Sequence, residues 1–163
     1  MSGVGQSFRL FVSVYAASDG TPLYFKVDGT RFKEQRTIKA CCGVQYKIKI
    51  VIRPVVGLLK DVVVGGDDLG IKQTHHAGQS STFECLWTSS GYQPTKSGQR
   101  TKVPLLIYID GVGKMEAFLQ FKFYQPSDKT HSQWGDPIRQ LEFECQSPSG
   151  GSGIIDVVRM TVR

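Results

Sequence analysis

Hydrophobic residues recur at every second position through the longest apolar segments of this chain, and that spacing restricts it to β-strands. In Tyr46-Lys47-Ile48-Lys49-Ile50-Val51-Ile52-Arg53, the residues Tyr46, Ile48, Ile50 and Ile52 share one face and Lys47, Lys49 and Arg53 share the other. Alternation of this kind fits a half-buried strand, because successive side chains point to opposite faces of a sheet. Pro54 ends the run, having no N–H to donate to a ladder. Phe8 to Ala16 repeats the pattern with Leu10, Val12, Val14 and Ala16 opposite Arg9 and Ser13. Lys114 to Tyr124 sets Met115, Ala117, Leu119, Phe121 and Phe123 against Lys114, Glu116, Gln120 and Lys122. Leu141, Phe143 and Cys145 oppose Glu142, Glu144 and Gln146. Shorter strands are expected over 23–27, 36–40, 61–64, 69–74, 82–87, 103–109 and 154–162.

Turn residues separate these runs. Asp28-Gly29 stands between Tyr24-Phe25-Lys26-Val27 and Thr30-Arg31-Phe32, which predicts a tight hairpin with positive φ. Gly65-Gly66-Asp67-Asp68 and Asp110-Gly111-Val112-Gly113 predict further reversals. No segment holds a 3.6-residue apolar period for three turns between caps, so an α/β fold is excluded in favour of a sandwich or barrel. The length of 163 residues suits one domain, with its core expected over about 8–146. A flexible Gly/Ser-rich linker over 147–153 would precede a last strand over 154–162.

Charge and reactive residues narrow the function. The formal net charge is +6, which favours anionic partners such as an acidic protein segment or the cytoplasmic leaflet. No apolar run reaches the length of a membrane span, and Met1-Ser2-Gly3-Val4 does not open a secretory signal. A cytoplasmic setting is therefore expected. Cys41, Cys42, Cys85 and Cys145 match no zinc spacing and are expected as reduced thiols, the last two in the core. His75 and His76 on a polar loop, and His131 alone, lack converging ligands for a metal. No phosphate-loop or calcium-loop pattern is present. A pairing of Cys145 with His131 would put the thiol on an apolar strand face, where a thiolate is poorly solvated. Neither an enzyme nor a cofactor-dependent protein is expected. Nucleic-acid binding would need basic and aromatic residues interleaved on one sheet face. Phe118 and Tyr124 share a face with Lys114 and Lys122, but also with Glu116, so no nucleic-acid partner is expected.

Four segments together resemble the cannabinoid receptor-interacting protein family. They are Phe25-Lys26-Val27-Asp28-Gly29-Thr30-Arg31-Phe32, followed by Arg36-Thr37-Ile38-Lys39; Pro94-Thr95-Lys96-Ser97-Gly98-Gln99-Arg100; Phe121-Lys122-Phe123-Tyr124; and Gln133-Trp134-Gly135-Asp136-Pro137, leading to Glu142-Phe143-Glu144-Cys145. The resemblance spans about residues 8–146 and departs at Cys41-Cys42, around His75-His76 and after Ser147. It implies a compact antiparallel β-barrel or flattened sandwich of about ten strands, similar in shape to carriers of lipidated proteins. It also implies an adaptor that binds the cytoplasmic tail of a G-protein-coupled receptor of cannabinoid type and modulates its G-protein signalling.

Two modes of binding are open. In the first, a groove or sheet edge captures a receptor tail, with Lys26, Arg31, Lys33, Arg36, Lys47 and Lys49 steering an acidic segment. A solvated outer face would carry the same residues. Thr95 and Lys96 are candidate contacts, since their loop matches the family beyond any structural need. Trp134 is a candidate contact as well, although a large aromatic in a turn-rich loop is expected first as a plug closing one end of the barrel. In the second mode, the interior takes the acyl or prenyl chain of a lipidated protein such as a G-protein subunit. Its lining would be Leu10, Val12, Val14, Ile48, Ile50, Ile52, Phe83, Ile107, Leu119, Phe121, Phe123 and Phe143, a set that would equally form an ordinary packed core. Lysines on the outer faces of long strands favour a monomer.

Overall fold

The computed structural model describes residues 5–148 and 153–163. Among them, thirteen strands form two sheets that pack face to face as a sandwich. In chain order these are β1 (Ser7–Ala16), β2 (Tyr24–Val27), β3 (Arg36–Cys41), β4 (Gln45–Arg53), β5 (Leu59–Val64), β6 (Asp67–Leu69) and β7 (Lys72–Ala77). They continue with β8 (Ser80–Thr88), β9 (Thr101–Ile109), β10 (Gly113–Tyr124), β11 (Asp136–Pro137), β12 (Leu141–Gln146) and β13 (Asp156–Val162). One short helix, α1 (Lys129–Ser132), lies between β10 and β11. No helix of the described residues is long and apolar enough to cross a membrane.

The first sheet runs β13-β12-β1-β4-β8-β7 and the second β11-β2-β3-β10-β9-β5-β6. The alternation read from the sequence sets which face is buried. Leu10 lies between Phe143 on β12 and Ile52 on β4, and Ile50 lies opposite Phe83 on β8. All five are buried in the core shared with Val62, Val103, Leu105, Ile107, Met115, Phe121 and Phe123 of the second sheet. An aromatic stack fixes how the sheets meet. Phe121 stacks on Phe123 at 5.3 Å and meets Trp87 edge-on at 6.2 Å, while Tyr92 stacks on Phe123 at 4.5 Å. Such pairs add to the burial of apolar area.

The all-β, two-layer expectation holds, with four corrections. The sheets do not close into a barrel: each keeps two edges, β13 and β7 in one, β11 and β6 in the other. The pairing is not wholly antiparallel, since β3 runs parallel to β10, with Ile38 beside Phe121 and Lys39 beside Lys122. Asp28-Gly29 does not make a two-residue hairpin. The returning strand starts at Arg36, so β2 and β3 are joined by residues 28–35. Gly29 does take the positive φ (68°) that its place in the turn suggested. Residues 69–74 are not one strand, because the chain crosses from the second sheet to the first between β6 and β7, which places His75 and His76 on an exposed edge strand. The Gly65-Gly66 reversal forms as read, with Val64 paired to Asp67. Of the expected linker, residues 149–152 lie outside the described residues.

Truncating Phe121, which is 4% exposed, removes a ring held by two aromatic neighbours. Phe121→Ala is expected to cost about 3–5 kcal/mol in a denaturant titration; a loss below about 1 kcal/mol would mean that the site is loosely packed.

Candidate functional site: a basic, aromatic outer face

The outer face of the second sheet is built around a buried ion pair. Period-two geometry turns Lys26, Thr37, Lys39, Gln120, Lys122 and Tyr124 away from the core that receives Phe25, Ile38, Ala40, Phe121 and Phe123. Over this face the 28–35 connection folds back, and Asp28 becomes its anchor. The Asp28 carboxylate accepts from Arg100 Nη2 at 3.2 Å, from Arg100 Nε at 3.4 Å and from the Thr37 hydroxyl. Lys26 Nζ stands 3.6 Å away. Both partners of the central pair are enclosed, with Asp28 and Arg100 side chains 5% and 6% exposed. Burial alone pushes the Asp28 carboxyl up. Hydrogen bonds from Thr37 and Arg100, with the charges of Arg100 and Lys26, outweigh it and hold the group below its ordinary 3.8. Gln120 completes the knot, donating from Nε2 to Thr37 Oγ1 at 2.9 Å and to the Glu34 carbonyl at 3.0 Å. The Arg100 guanidinium also lies 4.1 Å from the centre of the Phe32 ring.

A second cluster lies beside it. Lys39 is 3% exposed and its ammonium donates to the backbone carbonyls of His131 at 2.9 Å and Trp134 at 2.6 Å. Its Nζ lies 5.8 Å from the Tyr124 ring centre and 5.4 Å from that of Trp134. Among the described residues no carboxylate pairs with it. Burial, then the positive charges of Lys26 and Lys122, push its pKa down. Lys122, likewise lowered by burial and by Lys26 and Arg100, stands 5.4 Å from the centre of the same Tyr124 ring. Gly135 lets the Trp134 loop lie this close: its φ is +124°, and a Cβ there would come within 2.6 Å of the Phe25 carbonyl. Trp134 is 72% exposed. It is not the plug expected from the sequence; that buried position belongs to Trp87, 2% exposed.

Parts of all four segments that carry the family resemblance meet on this face, while the Glu142-Phe143-Glu144-Cys145 end of the fourth lies in β12 of the first sheet. Residues 25–39 supply β2, the Asp28 turn and β3; Arg100 ends the second segment; Lys122 and Tyr124 come from the third; Trp134 comes from the fourth. Of the candidate contacts, Lys26 and Arg31 lie on this face, with Arg31 5.0 Å from the Phe32 ring centre, whereas Arg36 shares the inward side of β3 with Ile38 and lies 5.8 Å from the centre of the Phe25 ring. Lys47 and Lys49 do not join them: they lie on β4 of the other sheet, Lys47 3.7 Å from Glu84 and Lys49 paired across the ladder with Glu84. The basic candidates thus do not form one surface. Lys96 is exposed. Thr95 fastens its loop to β10, its hydroxyl accepting from the Phe123 N–H at 2.9 Å and meeting the Thr101 hydroxyl at 3.0 Å. Sequence reasoning missed Asp28, Arg100, Lys39 and Lys122 as a set, because their contacts span 72 residues from Asp28 to Arg100 and 95 from Lys39 to Trp134.

The twelve candidate lining residues all face the interior. Val12, Val14, Ile48, Leu119 and Phe121 border an apolar void of about 30 Å³ between the sheets. Trp87 borders it too, and its indole N–H has no hydrogen-bond partner among the described residues. A larger groove of about 550 Å³ opens where β5 and β6 of one sheet face β7 and β8 of the other, lined by Leu58, Leu59, Leu69, Ile71 and Phe83 together with Lys60, Asp61, Asp68 and Gln73. Burial pushes the Cys85 thiol up to about 11 and the Cys145 thiol up to about 12, so both are unreactive core residues. His131 is on α1, 70% exposed and 3.0 Å from Asp128, with no contact to Cys145.

What this geometry defines is an all-β sandwich with a filled interior and one cation-rich, aromatic outer face. The chain belongs to the CB1 cannabinoid receptor-interacting protein 1 family, whose sequence model matches residues 4–161. It is 32% identical to the CB1 cannabinoid receptor-interacting protein 1 of Mus musculus over 140 residues, 85% of each chain. To the Homo sapiens protein of that name it is 31% identical over the same 140 residues and shares. The family match continues past Gln146 through β13, further than the segments read from the sequence.

Replacing Asp28 with Asn keeps the shape and removes the charge opposite Arg100. Asp28→Asn is expected to cost about 3–5 kcal/mol, the penalty for leaving one buried ion unpaired. The lowered pKa means that the carboxylate stabilises the fold above pH 3.8 and that this support is lost as pH falls below it. Stability measured against pH should therefore fall less steeply below about pH 4 in the variant. Parallel acid limbs would contradict the pairing.

Proposed function

We propose that this chain is a cytoplasmic, non-enzymatic adaptor that holds the C-terminal tail of a cannabinoid-type G-protein-coupled receptor on the outer face of its second sheet. The observation that carries the reading is the convergence of residues from all four family-bearing segments on that face, where Lys39 and Lys122 have no carboxylate partner among the described residues. Cations left unpaired steer an acidic segment and set its register. Trp134 supplies the kind of rigid, exposed aromatic that dominates binding energy at small interfaces. By contrast, on the outer face of the first sheet Arg9, Arg159 and Arg163 are each paired with Glu142 or Glu144. Holding the tail changes which cytoplasmic proteins reach the receptor, and so adjusts its G-protein signalling at the inner face of the plasma membrane. The adaptor acts as a monomer, since the exposed edge strand β7 is blunted by Lys72 and by a register shift between Gln73 and His75.

A second reading, a carrier for the acyl or prenyl chain of a lipidated signalling protein, rests on the apolar void and the edge groove. Its difficulty is volume. About 30 Å³ is roughly the space of one water, so a lipid chain would have to enter from the groove beside Leu59 and Phe83 and part the sheets.

Both readings are tested with one titration. A receptor-tail peptide should bind the wild-type chain, and Trp134→Ala or Lys122→Glu should weaken it about tenfold or more, while Lys49→Glu on the other sheet leaves it unchanged. Equal effects on the two faces would refute the proposed docking surface. If acylating or prenylating the peptide tightens binding and Trp134→Ala has no effect, the carrier reading replaces the first.

A further inference from the structure

Beside Lys39, a cavity of about 150 Å³ opens between the end of β1, the start of β4 and the helix α1. Its wall includes Thr21, Tyr46, Lys129, Ser132 and Gln133, with Lys39 among them. The volume is about that of a cavity able to take a benzene-sized group, so it admits one side chain and no more. Its polar lining comes from hydroxyl, thiol and amide side chains, two lysines and one carboxylate, Asp19. Asp19 accepts from the Thr21 N–H at 3.0 Å, and its nearest cation is Lys129.

Lys39 is the unusual member. An ammonium this enclosed ordinarily has a counter-ion, because burying an uncompensated charge is costly. Here two of its three N–H groups meet the His131 and Trp134 carbonyls, and the nearest charges besides Asp28 are those of Lys26, Lys122 and Arg100, three of the four being positive. The surroundings supply dipoles and rings, and Asp28, the one anion among those charges, is paired with Arg100. Placing an anion in the adjoining cavity would relieve the mutual repulsion of Lys26, Lys39 and Lys122.

We infer that this cavity is a carboxylate-recognition site, and that it takes the side chain of an Asp or Glu in a bound acidic peptide, with the Lys39 ammonium as its counter-charge. The inference rests on the tail-binding reading for the identity of the peptide, but not for the site itself. The cavity reads charge while Trp134, whose carbonyl is bonded to the same ammonium, presents its ring to the neighbouring part of the peptide. Discrimination against an amide of the same shape follows, since an amide brings no charge to the ammonium.

The full chain, labelled with nitrogen-15, is titrated with a tetrapeptide blocked at both ends and carrying two central glutamates, then with the same peptide carrying glutamines. The glutamate peptide should bind roughly tenfold tighter or more, the size of one charge-assisted hydrogen bond, and should shift the amides around Lys39, Ser132 and Gln133. Lys39→Met should abolish the preference, whereas Lys47→Met on the other sheet should preserve it. Equal binding of the two peptides to wild type overturns the inference without any variant, as does a preference that survives in folded Lys39→Met. A glutamine peptide with a free C-terminus that binds as tightly as the blocked glutamate peptide would assign the cavity to a chain end and overturn the side-chain assignment. If a receptor tail binds while the glutamate preference is absent, the site falls and the adaptor reading stands; a preference without any tail binding does the reverse.

Discussion

A single buried carboxylate organises the outer face of the second sheet. Asp28 faces Arg100 at 3.2 Å with both side chains nearly closed to solvent, and at that depth neither charge is stable without the other. Arg100 ends the segment leading into β9, Thr37 lies on β3 and Gln120 on β10, so one knot ties together parts of the chain that the ladders alone leave separate. The parallel pairing of β3 with β10 makes this possible, because it sets Lys39 directly beside Lys122 and brings Thr37 within reach of Gln120. Without the knot the 28–35 connection has few other anchors, and Phe32 loses the guanidinium stacked on it.

The neighbouring Lys39 cluster shows the opposite condition. Its ammonium is enclosed yet meets only carbonyl dipoles and aromatic faces. Asp28 and Lys39 thus divide the face into a part whose charges are satisfied internally and a part whose charges are not. The first part gives shape and the second gives affinity for an anion. Trp134 belongs to the second, where its carbonyl closes over Lys39 while its ring remains in solvent.

The core was legible from the sequence to the extent that it depends on alternation. Leu10, Ile48, Ile50, Ile52, Phe121 and Phe143 face inward because a period of two leaves no other choice once one face is apolar. Tight two-residue turns such as Gly65-Gly66 were legible for the same local reason. Closure was not, since whether two sheets join at their edges depends on pairings between distant strands. Nor was the crossing between β6 and β7, where Gly70 and Ile71 interrupt what reads as one strand. At the site, alternation places Lys39 outward, and a lysine turned outward reads as solvated. Its burial comes from residues 131–134, and nothing near Lys39 in the chain announces that cover. Trp134 misled for the converse reason: size suggests a plug, but its exposure is set by Gly135 and the Phe25 carbonyl beneath.

Hydrogen exchange of the full chain with and without a receptor-tail peptide tests the central claim most directly. The account requires new protection confined to residues 25–39, to Arg100, to 120–124 and to 131–136. Protection centred instead on β7 or on the Leu58–Ile71 groove, with the Lys39 region unchanged, would contradict it.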